Sequence, residues 1–215
     1  MLRNSTQHVC LNALTVAVLL CSATFSGQAK DKQLVLVYNT ASVAPDVMIE
    51  AEAQASRIFR EGVIELQWMN CTMAVAEHPE TDPCRAHFNE SSIYIQVLPS
   101  AGAFPNERAL AHAAVANEGG VRATVFFDRV RKFMASNGGD CSLVQLLGHV
   151  MAHEMGHLLL CLPGHSSRGI MAGPWSGKEL QQAALGELRF TPAEAAKMRE
   201  AVTERLGRSL AARNR

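Results

Sequence analysis

Apolar residues follow two rhythms along this chain, and each rhythm predicts a type of element. Residues 33–38 form a short, nearly unbroken apolar run, which predicts a buried strand. Pro45 then opens a helix through Glu50, Ala53, Ile58 and Phe59 to about Glu61, because its fixed φ suits a first helical position. Residues 63–69 alternate, with Ile64, Leu66 and Trp68 on one side, so a second strand is expected. A third covers 93–98. A fourth, over 109–116, is weak and made of small residues, and reads equally as a loop. A fifth covers 121–127, with Glu118-Gly119-Gly120 as the turn before it. A short helix over 128–134 and a turn at Asn137-Gly138-Gly139-Asp140 lead to Ser142, which is placed to N-cap a helix ending near Leu160. That helix is apolar around most of its circumference, as expected of one buried in a core. Pro163-Gly164 and a loop through Met171 precede a helix over 178–185 and a last helix capped by Thr191, with Pro192 first. The order predicts an α+β fold: a twisted mixed sheet of four to five strands packed on helices, with C-terminal helices after the most apolar one.

Polar residues inside that apolar helix change the picture from fold to chemistry. His153, Glu154 and His157 stand in the run His-Glu-Met-Gly-His. Four residues make slightly more than one helical turn, so both imidazoles project from one face and can grip one metal ion. Such a short pattern also arises by chance in helices that bind nothing. Here the surroundings are apolar, and unpaired polar groups in such a place cost several kcal/mol. A metal with its water satisfies all three. This is the spacing of a zinc hydrolase, with two neutral His nitrogens on Zn²⁺ and a carboxylate that takes the proton from its water.

Composition narrows the partners and the compartment. Twenty basic and twenty acidic side chains in 215 residues leave no net field to favour nucleic acid or an anionic membrane. Residues 1–29 read as an export signal: Arg3 in a short leader, an apolar stretch over 11–25, and a small-residue end at Gly27-Gln28-Ala29. Cleavage is expected after Ala29. A membrane anchor fits less well, because Asn12 and Thr15 interrupt a run already short of the ~20 apolar residues a span needs. A lipid anchor at Cys21 is disfavoured by the bulky Leu20 before it. Residues 30–215 then form one domain, monomeric and free of the membrane once the signal is removed. Strand-like sequence starts at Gln33, which leaves no room for a large inhibitory pro-segment. In an oxidising compartment Cys71 and Cys84, flanking a Pro-containing polar loop over 78–83, are expected to form a disulfide. Cys141 and Cys161 lie at opposite ends of the buried helix, about 30 Å apart at 1.5 Å per residue, so they cannot pair with each other.

From His153 to Met171 the chain reads His-Glu-Met-Gly-His-Leu-Leu-Leu-Cys-Leu-Pro-Gly-His-Ser-Ser-Arg-Gly-Ile-Met. This resembles the metzincin zinc peptidases, whose motif HExxHxxGxxH is followed by a turn carrying a Met below the metal. The element order also looks like the upper half of a metzincin domain. It resembles still more a largely uncharacterised group of secreted bacterial proteins in which the helix His pair is followed by His-Ser-x-x-Gly-Ile-Met, and that similarity extends from about Val63 to the C-terminus. The resemblance implies one catalytic Zn²⁺, His153, His157 and His165 as its ligands, Glu154 as general base and Met171 as the turn residue. The chain departs from the motif in three places. Leu160 stands where the Gly belongs and Pro163 where the third His belongs, so the loop is two residues longer. Gly173 stands where some metzincins carry a Tyr. A helix must stop and fold back to deliver a third ligand, and Pro163-Gly164 can do this one turn later than the usual Gly.

Rival residues are weighed against this set. Glu179, on a helix 22 residues past His157, is the alternative third ligand, as in the other large class of HExxH enzymes. His149 lies a full turn before His153 and is expected to pack or to support the ligands. Cys161 is near enough in sequence to close the metal shell and make it structural. His78, His87 and His112 are expected at the surface. Met151 and Met155 read as core fillers, and Trp175 as a cleft wall or a packing plug. The functional expectation is a secreted or periplasmic zinc metallopeptidase acting on protein or peptide. The alternatives are an inactive zinc-binding protein and a zinc amidase acting on non-protein amides.

Overall fold

The computed structural model describes residues 32–71, 84–87, 89–115, 121–137 and 139–213. The expected leader over 1–29, the loop over 78–83 with His78, and the turn at 118–120 lie outside them. Five strands and five helices follow one another in the described chain: β1 (Gln33–Asn39), α1 (Pro45–Glu61), β2 (Leu66–Cys71), β3 (Ile93–Leu98), β4 (Ala111–Ala114), β5 (Arg122–Phe126), α2 (Phe127–Asn137), α3 (Leu143–Leu160), α4 (Gly177–Ala184) and α5 (Pro192–Arg213). The expected α+β class holds. One mixed sheet runs in the order β2-β1-β3-β5-β4, parallel except that β4 lies antiparallel on β5 at one edge.

β1 is apolar from Leu34 to Tyr38, and β3 is apolar apart from Gln96, as suits two interior strands of the sheet. Val35, Val37, Ile93, Ile95, Val97, Ala123 and Val125 point to the side covered by α1 and α3 and form the main core with them. Leu36 and Tyr94 point the other way and meet Cys71 and Cys84. These cysteines form the expected disulfide, with Cα atoms 5.8 Å apart. Cys141 and Cys161 are both free, as their places at the two ends of α3 require.

β2 begins three residues later than its alternating pattern predicts. Val63 takes a left-handed φ of 61°, and the amide of Ile64 turns back to the Phe59 carbonyl at 3.1 Å. Ile64 is buried all the same, under α1 rather than in the sheet, so its hydrophobicity reports packing and not strand pairing. The weak fourth segment is a true strand, although only four residues long.

Gly148 lets α1 and α3 cross closely, since a Cβ there would lie 2.6 Å from the Gln54 side chain and 2.7 Å from the Ala51 carbonyl. The segment before β4 is held by Arg129 on α2. Its guanidinium donates to the carbonyls of Asn106, Ala109 and Phe104 and lies over the rings of Phe104 and Phe126. Among the described residues no helix is long and apolar enough to cross a membrane.

Candidate metal centre

α3 is anchored at both ends. Ser142 Oγ accepts from the Gln145 amide at 3.1 Å while Gln145 Oε1 accepts from the Ser142 amide at 2.8 Å, a reciprocal cap that satisfies two otherwise orphaned donors. At the other end the chain reverses sooner than Pro163-Gly164 predicts. Cys161 itself takes the left-handed conformation, with φ 53°, and its amide bonds the His157 carbonyl. The early reversal has a structural consequence: it swings the Leu162 carbonyl to 2.6 Å from His157 Nδ1.

His153 is treated in the same way by a different segment, since its Nδ1 lies 2.6 Å from the Ile170 carbonyl. A carbonyl can only accept, so both Nδ1 atoms carry the proton and both Nε2 atoms keep a bare lone pair. Those two Nε2 atoms are 3.0 Å apart. No hydrogen lies between them, and two facing lone pairs at that distance repel unless they share a cation.

His165 completes the cluster from the loop beyond. Its ring stacks on His153 at 5.2 Å and meets His157 edge-on at 5.1 Å. One ligand atom from each of the three imidazoles lies within 4.8 Å of the other two. The loop is drawn into place by a small turn in which the Ser166 amide bonds the Met171 carbonyl at 2.8 Å. Gly169 takes φ 73° there, which favours glycine, and a Cβ on it would lie 2.7 Å from the Arg189 carbonyl. Met171 is 1% exposed and sits against Gly156, where a Cβ would come within 2.5 Å of its sulfur. Gly173, in the place of the Tyr, is where the His165 ring rests: a Cβ there would be 2.7 Å from its Cδ2.

Electrostatics favours neutral donors around a positive guest. Burial pulls the His153 imidazole down to about 3; the Ile170 carbonyl opposes this, and His157 and His165 add to it. Burial also lowers His157, against the Leu162 carbonyl. Glu154, 6% exposed, lines the same cleft, and burial pushes its carboxyl up to about 8. A cation beside it would draw that value back down. Three imidazole nitrogens form a donor set that borderline-soft divalent ions such as Zn²⁺ prefer, so the residues fit that ion.

The rivals are occupied elsewhere. Glu179 accepts from the Ser176 amide and hydroxyl, each at 2.7 Å, and so caps α4. His149 is buried, bonds the Gln145 carbonyl of its own helix at 2.7 Å and is not one of the clustered ligands. Cys161 is exposed and is not part of the group. His112 is exposed on β4, as expected, with its ring on Phe104. Trp175 fills both of its expected roles, packing edge-on against His153 at 5.2 Å and lining the cleft. That cleft, of about 1190 Å³, runs between the 102–111 segment and α2 on one side and the cluster on the other. Sequence reasoning missed two residues of this neighbourhood, Arg129 and Glu194. Both act through partners 20 or more positions away, and no local spacing announces such contacts.

Among known proteins no family model matches the chain, and no curated protein matches it. Among solved structures it is similar to the crystal structure of archaemetzincin from Methanopyrus kandleri, at 14% identity and a TM-score of 0.47, over 82% of this chain and 98% of that one.

Proposed function

We infer that this chain is an exported zinc metallopeptidase in which His153, His157 and His165 hold the ion and Glu154 is the general base. The observation that carries the reading is the pair of Nε2 lone pairs facing each other at 3.0 Å, with a third imidazole alongside. Three protein nitrogens leave a coordination position open, whereas a structural zinc site uses four protein ligands. Zinc bound there supplies Lewis acidity, which makes water a nucleophile near neutral pH and polarises a carbonyl.

The chain's own residues supply the rest. Glu154 takes the proton of the attacking water and delivers it to the leaving amine, a task open to a buried carboxyl that lines the cleft beside the imidazoles. The Ile170 and Leu162 carbonyls hold the two helix imidazoles in the tautomer that offers Nε2. Met171 closes the floor with apolar surface. A peptide is favoured over a small amide because β4 is an antiparallel edge strand beside the cleft, and among the described residues no strand pairs with its outer side, where extended backbone could add. Export is supported by the Cys71–Cys84 disulfide, which persists outside reducing compartments, and with it the reading takes cleavage after Ala29 and residues 30–215 as one monomeric domain.

A peptide-library assay on zinc-loaded protein, with and without chelator, tests the reading. Cleavage that disappears with chelator and returns with zinc is expected. Tight zinc binding without cleavage of any peptide would leave a metal-stabilised binding protein instead.

A further inference from the structure

The third imidazole is the one that the helix does not position. His165 is exposed on a loop, yet the residue beside it reaches back into the body of the protein. Ser166 Oγ donates to Glu194 Oε1 at 2.5 Å. Glu194 is 8% exposed, in the first turn of α5, 28 positions further along the chain. Its other oxygen accepts from the Thr191 amide at 2.8 Å, and its own amide donates to Thr191 Oγ1 at 3.3 Å. The carboxylate is therefore fixed by the helix start before it meets the serine. From the other end of the same turn, the Ile170 amide bonds the Arg189 carbonyl at 2.8 Å, just ahead of α5. Two bonds thus fasten the His165–Met171 turn to the entrance of α5.

We propose that Glu194, acting through the Ser166 hydroxyl, is a positioning residue for His165 and sets how tightly the metal is held. This rests on the reading of the three imidazoles as a metal centre. A hydroxyl bonded to a fixed carboxylate is short and directional, and the backbone that bears it also bears the His165 Cα. Without it, His165 keeps its contact with Gly173 but loses the tether one residue away, and the loop samples positions in which its ring leaves the other two. Partners of this kind, one bond removed from a ligand, typically change metal affinity by roughly 10–100-fold when deleted.

The test uses the full mature protein and two probes, zinc competition against a chromophoric chelator and the visible spectrum of the Co²⁺-substituted form. Ser166→Ala should weaken zinc binding about tenfold or more. It should also reduce the intensity of the Co²⁺ bands as the site gains solvent ligands. Ser166→Thr, which keeps the hydroxyl, should restore both. In a His165→Ala background, Ser166→Ala should have no further effect. Glu194→Gln should resemble Ser166→Ala, and if loss of the α5 cap prevents folding, the Ser166 pair carries the test by itself. Wild-type affinity and spectrum in Ser166→Ala, with both lost in His165→Ala, would overturn the positioning role and leave the metal centre standing. Identical Co²⁺ binding by wild type and His165→Ala would overturn the metal centre and the positioning role with it.

Discussion

The two halves of the candidate metal centre are built in opposite ways. His153 and His157 stand on α3, 7% and 5% exposed, each with its ring fixed by a backbone carbonyl, on a helix capped at its start and reversed sharply at its end. His165 stands on an exposed loop and is placed by contacts from Gly173, from the turn behind it and from α5. The helix half comes from local geometry, because residues four apart share a face in any helix. The loop half comes from tertiary contacts, so it is the half that small changes elsewhere should loosen.

Substitutions can pull the halves apart, and the largest effect expected is chemical. Glu154→Gln should lower kcat by roughly 10²–10⁴-fold while zinc content stays at wild type, since it removes proton transfer without removing a grip on the ion. A metal-loaded variant that still turns over would show that the proton moves by another route. Next in size is ligand loss. His157→Ala should abolish zinc binding at micromolar concentrations, whereas His165→Ala should retain a weaker site on the helix pair. Zinc at about a hundred times its Kd should stabilise the wild type by about 2.7 kcal/mol, and thermal unfolding should show that gain reduced in His165→Ala and absent in His157→Ala. Equal losses in the two variants would erase the contrast between the halves.

A subtler change acts on the loop half by itself. Gly173→Ala places a methyl group within 3 Å of three His165 ring atoms and should weaken zinc binding about tenfold, with the fold intact by circular dichroism. The smallest effect expected lies outside both halves and serves as their control. Glu52 on α1 is buried, with Oε1 unpartnered and Oε2 bonded only weakly to Asn70 at 3.4 Å. Burial raises its pKa above 4.5, with the Asn70 bond opposing, so the folded chain holds this proton more tightly than the unfolded chain does. That contribution is favourable at low pH and is lost as pH rises from 4.5 through the folded value. Glu52→Gln should flatten this slope in urea unfolding and gain about 1 kcal/mol at pH 7, without altering zinc affinity. A slope unchanged by the substitution would mean that Glu52 keeps its charge at no cost.

What could be read in advance follows the same division. The boundaries of α1 and α3 and the whole of β3 were legible because an N1 proline, a capping serine and buried apolar runs act within a few residues. The Cys71–Cys84 bond was legible from the loop it closes. β4 was legible only as a weak strand or a loop, since Ala-His-Ala-Ala has little strand preference and takes its extended form in pairing with β5. Ile64 misled because burial under a helix and burial in a sheet look alike in one dimension. The end of α3 falls at Leu160 as expected, but the reversal comes at Cys161 and not at Pro163-Gly164, because a cysteine with positive φ has no sequence signature. Arg129 and Glu194 were missed altogether, as a charged residue that staples a distant carbonyl or hydroxyl looks like any solvated charge.

The contact between Gly156 and Met171 leaves a record that evolution can be asked about. A carbon added at 156 would come within 2.5 Å of the Met171 sulfur and 2.8 Å of the Phe190 ring, so these three positions draw on one volume. Among natural variants of this chain, enlargement of the first should be accompanied by shrinkage or a turned side chain at 171 or 190.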